Sequence, residues 1–202
     1  MGKIKTAKVK TAKVKTGKIK TGKVKTNLPN ILTFINLSLG VIAILITVSN
    51  GSENSLIYAS LLIILAALTD RLDGQVARKL GVSSELGKQL DSLSDLVSFG
   101  IAPVIVAWKI NFVAFTPYSY LLVLIYPIAG AFRLARYNVT EFENVFRGIP
   151  ITVAGGLLSL LNIYTCFQSI SGKHILPYSI ATLIVIVLLS YLMVSNLHIR
   201  KR

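Results

Sequence analysis

The sequence predicts an all-α, polytopic membrane protein with six transmembrane helices and with both termini in the cytoplasm. Apolar residues make up 53% of the 202-residue chain, and charged residues make up only 15%. Soluble globular domains are typically about 45–50% apolar and about 25% charged. Together with a mean hydropathy of +0.66, this composition excludes an ordinary soluble domain and favours a protein embedded in a bilayer.

The first 27 residues differ from the rest of the chain. Residues 3–27 repeat the pentad Lys-(Ile/Val)-Lys-Thr-X five times and hold ten of the 22 basic residues. A period of five gathers the apolar positions on one face of neither a helix nor a strand, and the like charges repel. We therefore predict a disordered Lys-rich tail at 1–27 and one six-span domain at 28–202. The tail is interpreted as a solvated topology signal or an arm for anionic headgroups. Nucleic acid is not an expected partner, because no aromatic residues alternate with the lysines.

Six apolar stretches follow, each near the roughly 20 residues that a helix needs to cross about 30 Å of hydrocarbon. They lie at about 29–49, 56–78, 87–108, 118–137, 150–169 and 175–197. Basic residues collect in the tail, at 79–88, at 133–147 and at the C-terminus, whereas the alternate loops contain only Lys109 and Lys173. The positive-inside rule then places both termini in the cytoplasm. We expect a multi-pass protein of the cell membrane.

Four aspartates lie where the second predicted span ends and the third begins: Asp70, Asp73, Asp91 and Asp95. A carboxylate in the middle of a membrane helix costs about 2.5–3.5 kcal/mol, so four of them require compensation. The spacings of three and four residues place each pair on one helix face, and the short connection makes the two helices antiparallel neighbours. The pattern predicts a four-carboxylate cage for Mg²⁺, Mn²⁺ or Ca²⁺. Phosphoryl chemistry would use two such ions about 3.5–4 Å apart.

Small residues and one arginine accompany these carboxylates. Gly74 and Ala77 share a face with Asp70, and Gly87 precedes Asp91 by one turn. Their small side chains leave room for a ligand beside the backbone, and Arg78 provides a guanidinium for a phosphate oxygen. Two other interpretations remain open, namely aspartates that pair with nearby basic residues and an ion or proton pathway.

The same residues form the pattern D-x-x-D-G-x-x-A-R, eight residues, then G-x-x-x-D-x-x-x-D, with all eight fixed positions present. In this pattern the chain resembles the CDP-alcohol phosphotransferase family, and the resemblance covers about residues 28–200. The segments 28–36, 91–103, 132–138 and 146–150 are similar to the phosphatidylserine synthase branch. Branches that use glycerol 3-phosphate or inositol phosphate as acceptor stay open.

The resemblance implies an enzyme that transfers a phosphatidyl or archaetidyl group from a CDP-activated lipid to the hydroxyl of L-serine and releases CMP. It implies a homodimer and a two-metal site with Mg²⁺ or Mn²⁺. The implied metal ligands are Asp70, Asp73, Asp91 and Asp95, and Asp95 is also the implied general base. The implied CDP site consists of Asp70, Asp73, Gly74, Ala77, Arg78 and Gly87.

The carboxylate of serine requires a cation, and Arg133, Arg136 and Arg147 are the candidates near the predicted end of the fourth span. The same arginines would hold a phosphate in the other branches, or serve as topology signals or headgroup ligands. The non-enzymatic alternative is an ion- or proton-coupled transporter. It accounts for the aspartates but not for the accompanying glycines, alanine and arginine.

Overall fold

The structure is a computed structural model that describes residues 27–49, 51–80, 85–111, 118–139, 146–195 and 198–199. Within these ranges, the side chains at 27–29, 73, 76–80, 118, 119, 122, 146, 147, 198 and 199 lie outside the described part. The predicted Lys-rich tail lies outside it as well, apart from Asn27, where the first helix begins.

The described chain is helical, as predicted. Its helices are α1 (Asn27–Ser49), α2 (Glu53–Leu80), α3 (Glu85–Asn111), α4 (Tyr118–Val139), α5 (Ile151–Ile170) and α6 (Leu176–Val194). The described residues outside these helices include one short antiparallel pairing, between β1 (Phe146–Arg147) and β2 (His198–Ile199). Pro150 precedes α5 and Pro177 lies in the first turn of α6, where the missing N–H has no helical partner to lose.

Helix α3 is the centre of the bundle. It contacts each of the other five helices and is the most buried of the apolar helices. Its α-helical geometry is interrupted over Leu96–Ile101 by a π-helical segment. The backbone N–H of Ala102 donates to the carbonyl of Val97, five residues earlier. Such segments are rare and often occur at functional sites.

Contacts between helix ends show that the six helices alternate in direction. The N-terminal halves of α1 and α3 are in contact, as the hydrogen bond from Ser94 to the carbonyl of Thr33 at 3.1 Å shows. The C-terminal half of α2 and the start of α5 meet in a hydrogen bond from Thr152 to Asp70. The last turn of α4 meets the C-terminal end of α6 through Arg136. The three pairs meet at one end of the bundle. Asn138 near the end of α4 donates to Ser92 in the first half of α3 at 3.0 Å, and a carboxylate oxygen of Asp70 on α2 lies within 4.8 Å of one of Asp91 on α3. This end therefore holds the start of α1, α3 and α5 and the end of α2, α4 and α6.

The composition of the helices is that of a multi-pass membrane protein. In the described residues, five helices are long and apolar enough to cross a bilayer: Asn30–Ser49, Glu53–Leu72, Glu85–Asn111, Ile151–Ile170 and Leu176–Val194. Leucine, valine and aromatic side chains on their outer faces are exposed, which suits contact with lipid. Inside the bundle, the hydroxyls of Thr47, Ser60 and Ser190 donate to the carbonyl four residues earlier. Their hydrogen bonds are therefore satisfied within the helix.

The fourth predicted span, 118–137, coincides with α4, which has 22 residues and is about 33 Å long at 1.5 Å per residue. It is not among the five apolar helices, and the side chains at 118, 119 and 122 lie outside the described part. The structure therefore confirms a helical chain with five candidate spans in its described part, and the sixth crossing and the cytoplasmic termini stay predictions.

Candidate metal and catalytic site

Three aspartates converge at the end of the bundle just defined, where α2 meets α3. One carboxylate oxygen each from Asp70, Asp91 and Asp95 lies within 4.8 Å of the others. Asp70 and Asp91 are partly buried, and Asp95 is buried. Like charges at this distance disfavour one another. A bound cation offsets that repulsion, and three carboxylates are the hard donors that Mg²⁺ and Mn²⁺ prefer. The residues present therefore fit a divalent metal ion.

The convergence follows from local geometry. Asp91 and Asp95 are one helical turn apart and share a face of α3, in the stretch before the π segment begins. Asp70 lies in the C-terminal half of the antiparallel neighbour α2. The predicted cage had a fourth member, Asp73, whose side chain lies outside the described part of the structure.

Helix α1 holds Asp95 in place from the other side. The side-chain amide of Asn36 donates to Oδ1 of Asp95 over 3.4 Å. Three residues further along α3, the hydroxyl of Ser98 donates to the backbone carbonyl of Asn36 at 2.9 Å. Both Asn36 and Ser98 are fully buried. The two bonds join the start of the π segment to α1, and the bond from Asn36 orients the carboxylate of Asp95.

Two glycines let the neighbouring helices approach the π segment. A Cβ on Gly40 of α1 would meet the side chain of Ser98, and a Cβ on Gly155 of α5 would lie 2.8 Å from the Cα of Phe99. Real Cβ atoms essentially never come this close to other backbone atoms. Only glycine allows α1 and α5 to enclose the segment that follows Asp95.

Asp70 is oriented by the start of α5. The hydroxyl of Thr152 donates to Oδ2 of Asp70 at 3.2 Å, and Asp70 makes at least one further interaction. Thr152 lies in the first turn of α5, two residues after Pro150. The connection before α5 is itself anchored on α6, because the N–H of Ile149 donates to the carbonyl of Leu192 at 3.3 Å. The end of α6 thus helps to position Thr152, the residue that binds Asp70.

The two predicted acceptor arginines that the structure describes occupy different environments. Arg133 is buried, its charge attracts Asp95, and its Nε has no hydrogen-bond partner among the described residues. Arg136 donates to the carbonyl of Val194 at 3.0 Å and to that of Ser195 at 3.5 Å. Arg136 therefore caps the C-terminal end of α6, where a cation is favourable. Arg133 thus interacts electrostatically with Asp95, whereas Arg136 binds a helix end.

The remaining predicted site residues are only partly described. Gly74 and Gly87 are half-buried on α2 and α3, and Gly87 takes part in an interaction of its own. The side chains of Ala77, Arg78 and Arg147 lie outside the described part of the structure.

Sequence analysis missed two residues at this site, Asn36 and Thr152. Each had a signal in the sequence. Asn36 is an amide in the middle of an apolar stretch, where a polar group is costly unless it has a partner. Thr152 follows Pro150 at the start of a span, but nothing in its position identifies Asp70 as its partner.

The chain is similar in sequence to a known family of proteins. The family model described as CDP-alcohol phosphatidyltransferase matches residues 26–199. An archaetidylserine synthase of Methanothermobacter thermautotrophicus is 37% identical over 155 residues, which is 74% of this chain and 63% of that protein. A CDP-diacylglycerol–serine O-phosphatidyltransferase of Helicobacter pylori is 33% identical over 176 residues, which is 84% of this chain and 70% of that protein. An enzyme of the same name from Bacillus subtilis is 34% identical over 67% of this chain and 75% of that protein. The chain thus spans less than two thirds of the archaeal relative and three quarters of the Bacillus one.

Proposed function

The chain belongs to the CDP-alcohol phosphatidyltransferase family, and on that basis we propose that it transfers a phosphatidyl or archaetidyl group from a CDP-activated lipid to L-serine. The products are CMP and the serine phospholipid. Relatives named as serine transferases and an archaetidylserine synthase support the choice of acceptor. The observation that carries the proposal is the convergence of Asp70 and Asp91 on the buried Asp95.

Asp95 acts as the general base in this proposal. Its carboxylate takes the proton from the serine hydroxyl, and the serine oxygen forms a bond to the lipid-linked phosphorus. The bond from that phosphorus to the CMP oxygen breaks, and CMP leaves with the electron pair. A positioned base contributes about 10²–10⁴-fold to such a step. The hydrogen bond from Asn36 supports this role, because it fixes one oxygen of Asp95 and leaves the other for the acceptor.

Asp70, Asp73 and Asp91, with Asp95, would hold two Mg²⁺ or Mn²⁺ ions. When bound, the ions supply neutralising charge for the pyrophosphate and for the departing CMP. The cytidine diphosphate would lie against Gly74, Ala77, Arg78 and Gly87, where small residues leave room beside the helix backbone. Thr152 would keep Asp70 turned toward the other carboxylates.

Arg133 is the acceptor-binding arginine that we propose. Its side chain is buried, its charge interacts favourably with that of Asp95, and its Nε lacks a partner among the described residues. A planar guanidinium pairs well with a carboxylate, so serine would lie with its carboxylate on Arg133 and its hydroxyl on Asp95. Arg147 remains a second candidate.

We further propose six spans, cytoplasmic termini and location in the cell membrane. The alternating directions of α1–α6 support the sixth crossing by α4. The site end of the bundle also holds Lys88, Arg133 and Arg136, whereas Lys109 and Lys173 lie toward the other end, and this asymmetry supports a cytoplasmic active site. The Lys-rich tail before Asn27 would be a disordered appendage of the membrane domain. The enzyme would be a homodimer, as the family resemblance implies.

The decisive experiment measures CMP release by the purified full chain in detergent with Mg²⁺ or Mn²⁺. The lipid is CDP-diacylglycerol or its ether-linked analogue, and the acceptors are serine, glycerol 3-phosphate and inositol phosphate in turn. We expect CMP with serine alone. CMP release with a phosphorylated acceptor would support the transferase reaction and refute serine as the acceptor. No CMP release with any pair of lipid and acceptor would favour the ion-coupled transporter.

A further inference from the structure

We propose that Asn36 is a specificity-determining residue whose side-chain carbonyl oxygen accepts a hydrogen bond from the ammonium group of the acceptor. This inference rests on the proposed function, because it assigns a part of the acceptor to a residue of the same site. It explains how a site beside three carboxylates distinguishes an amino acid from a phosphorylated alcohol.

The first observation is a buried acceptor without a donor. Asn36 is 1% exposed, and its Oδ1 has no hydrogen-bond partner among the residues that the structure describes. Its Nδ2 donates a hydrogen bond to Asp95. Because a carboxylate only accepts hydrogen bonds, the amide must direct its nitrogen toward Asp95 and its oxygen away. A buried carbonyl oxygen without a hydrogen bond costs free energy. A bound ligand that donates a hydrogen bond to this oxygen removes the cost.

The second observation is the distance to the reacting group. The nitrogen and oxygen of one amide are about 2.3 Å apart, so Oδ1 of Asn36 lies within about 5.7 Å of Oδ1 of Asp95, since Nδ2 is 3.4 Å from it. The second carboxylate oxygen, which is left for the acceptor, is about 2.2 Å further at most. In serine the hydroxyl oxygen and the amino nitrogen are separated by two carbons and are about 3 Å apart. A serine whose hydroxyl contacts Asp95 therefore brings its ammonium within reach of Asn36.

The amide oxygen of Asn36 and the nearby carboxylates together favour a ligand that carries an ammonium group. An ammonium group has three donors and no acceptor, so it matches a lone carbonyl oxygen, whereas a phosphate offers no N–H donor. Nearby carboxylates also favour a positive group and disfavour a second anion. Arg133, on α4, supplies the complementary cation for the serine carboxylate. Asn36 and Arg133 thus recognise the two charged ends of one amino acid.

The test compares two acceptors that differ only in the ammonium group. Serine and 3-hydroxypropanoate share the hydroxyl and the carboxylate, so the ratio of their kcat/KM values measures recognition of the amine. We expect wild type to prefer serine by on the order of 10- to 100-fold or more. In the Asn36→Leu variant, which keeps the branching of the side chain and removes its polar atoms, we expect the ratio to fall to near one, whatever happens to the absolute rates.

Asn162 offers a matched control. It is fully buried on α5, donates from Nδ2 to the carbonyl of Pro103 at 2.9 Å, and also has an unpartnered Oδ1 among the described residues. It lies ten residues beyond Thr152, or about 15 Å along the helix. Asn162→Leu should leave the acceptor ratio at the wild-type value.

The outcomes separate this inference from the function on which it rests. No CMP from wild type with serine refutes the proposed function. Activity with serine but equal use of 3-hydroxypropanoate by wild type refutes the role of Asn36, even if the variant does not fold. An unchanged ratio in Asn36→Leu, with a changed requirement for Mn²⁺ instead, also refutes it and assigns Asn36 to the metal site.

Discussion

The hydroxyl of Thr152 donates a 3.2 Å hydrogen bond to Oδ2 of Asp70, and it thereby joins the start of α5 to the carboxylate cluster. Groups that orient a metal ligand typically change metal affinity 10- to 100-fold when they are removed. We predict that Thr152→Val raises the Mn²⁺ concentration for half-maximal CMP release about tenfold or more. The measurement is a metal titration at saturating lipid and serine.

Thr152→Ser is the control for this prediction, because it keeps the hydroxyl and removes only a methyl group. It should retain most of the wild-type metal affinity. Equal losses in the valine and serine variants would show that the site responds to any change at this position, and would contradict a specific orienting role for the hydroxyl.

Replacing the proposed base gives the second prediction. Asp95→Asn keeps the shape of the side chain and removes its capacity to accept a proton, so CMP release with serine should fall at least about 10²-fold. Tryptophan fluorescence or size-exclusion chromatography would report an intact protein. A variant that retained more than a tenth of the wild-type kcat would exclude Asp95 as the base.

Metal binding should stabilise the folded protein, which gives the third prediction. A ligand at 100 times its Kd stabilises the native state by about 2.7 kcal/mol, so Mn²⁺ should raise the Tm by several degrees and EDTA should reverse the rise. Asp91→Asn should remove most of this response. Glu53→Gln is the matched control, since Glu53 lies at the opposite end of the bundle and accepts a bond from Ser169. A Tm shift that persisted in Asp91→Asn would contradict binding by the cluster.

The fourth prediction separates the two described arginines of α4. Arg133→Lys keeps the charge but loses the planar fork that suits a carboxylate, so the KM for serine should rise about tenfold or more. Arg136→Lys weakens the cap on the carbonyls of Val194 and Ser195, and should lower the unfolding free energy by roughly 1 kcal/mol while the KM stays unchanged. A raised KM in Arg136→Lys with normal stability would instead make Arg136 an acceptor ligand.

Sequence reasoning anticipated the parts of this molecule that depend on local spacing. Apolar stretches of about 20 residues located the helices, and the intervals of three and four residues between aspartates predicted that they share helix faces. Asp70, Asp91 and Asp95 do converge, because two antiparallel helices with matching faces leave few other arrangements.

The same reasoning from the sequence did not predict the long-range contacts of the site. Asn36 is 59 residues from Asp95, and Thr152 is 82 residues from Asp70, so no local period relates them. The π segment after Asp95 packs against α1 and α5, and the sequence analysis did not predict it. Two arginines of α4 illustrate the limit, since the basic cluster in the sequence did not distinguish the buried Arg133 from Arg136 at a helix end.

The packing around the π segment gives the last prediction, because two adjacent glycines of α5 have opposite surroundings. A Cβ on Gly155 would lie 2.8 Å from the Cα and carbonyl oxygen of Phe99, whereas a Cβ on Gly156 would meet nothing within 4 Å. Gly155→Ala should therefore destabilise the protein by about 1–3 kcal/mol and should reduce CMP release as well, since Phe99 follows Asp95 by four residues. Gly156→Ala should be neutral or should stabilise the helix by up to about 1 kcal/mol. The measurement is the Tm of both variants in the same detergent. Equal Tm values would show that α5 does not pack closely against the π segment.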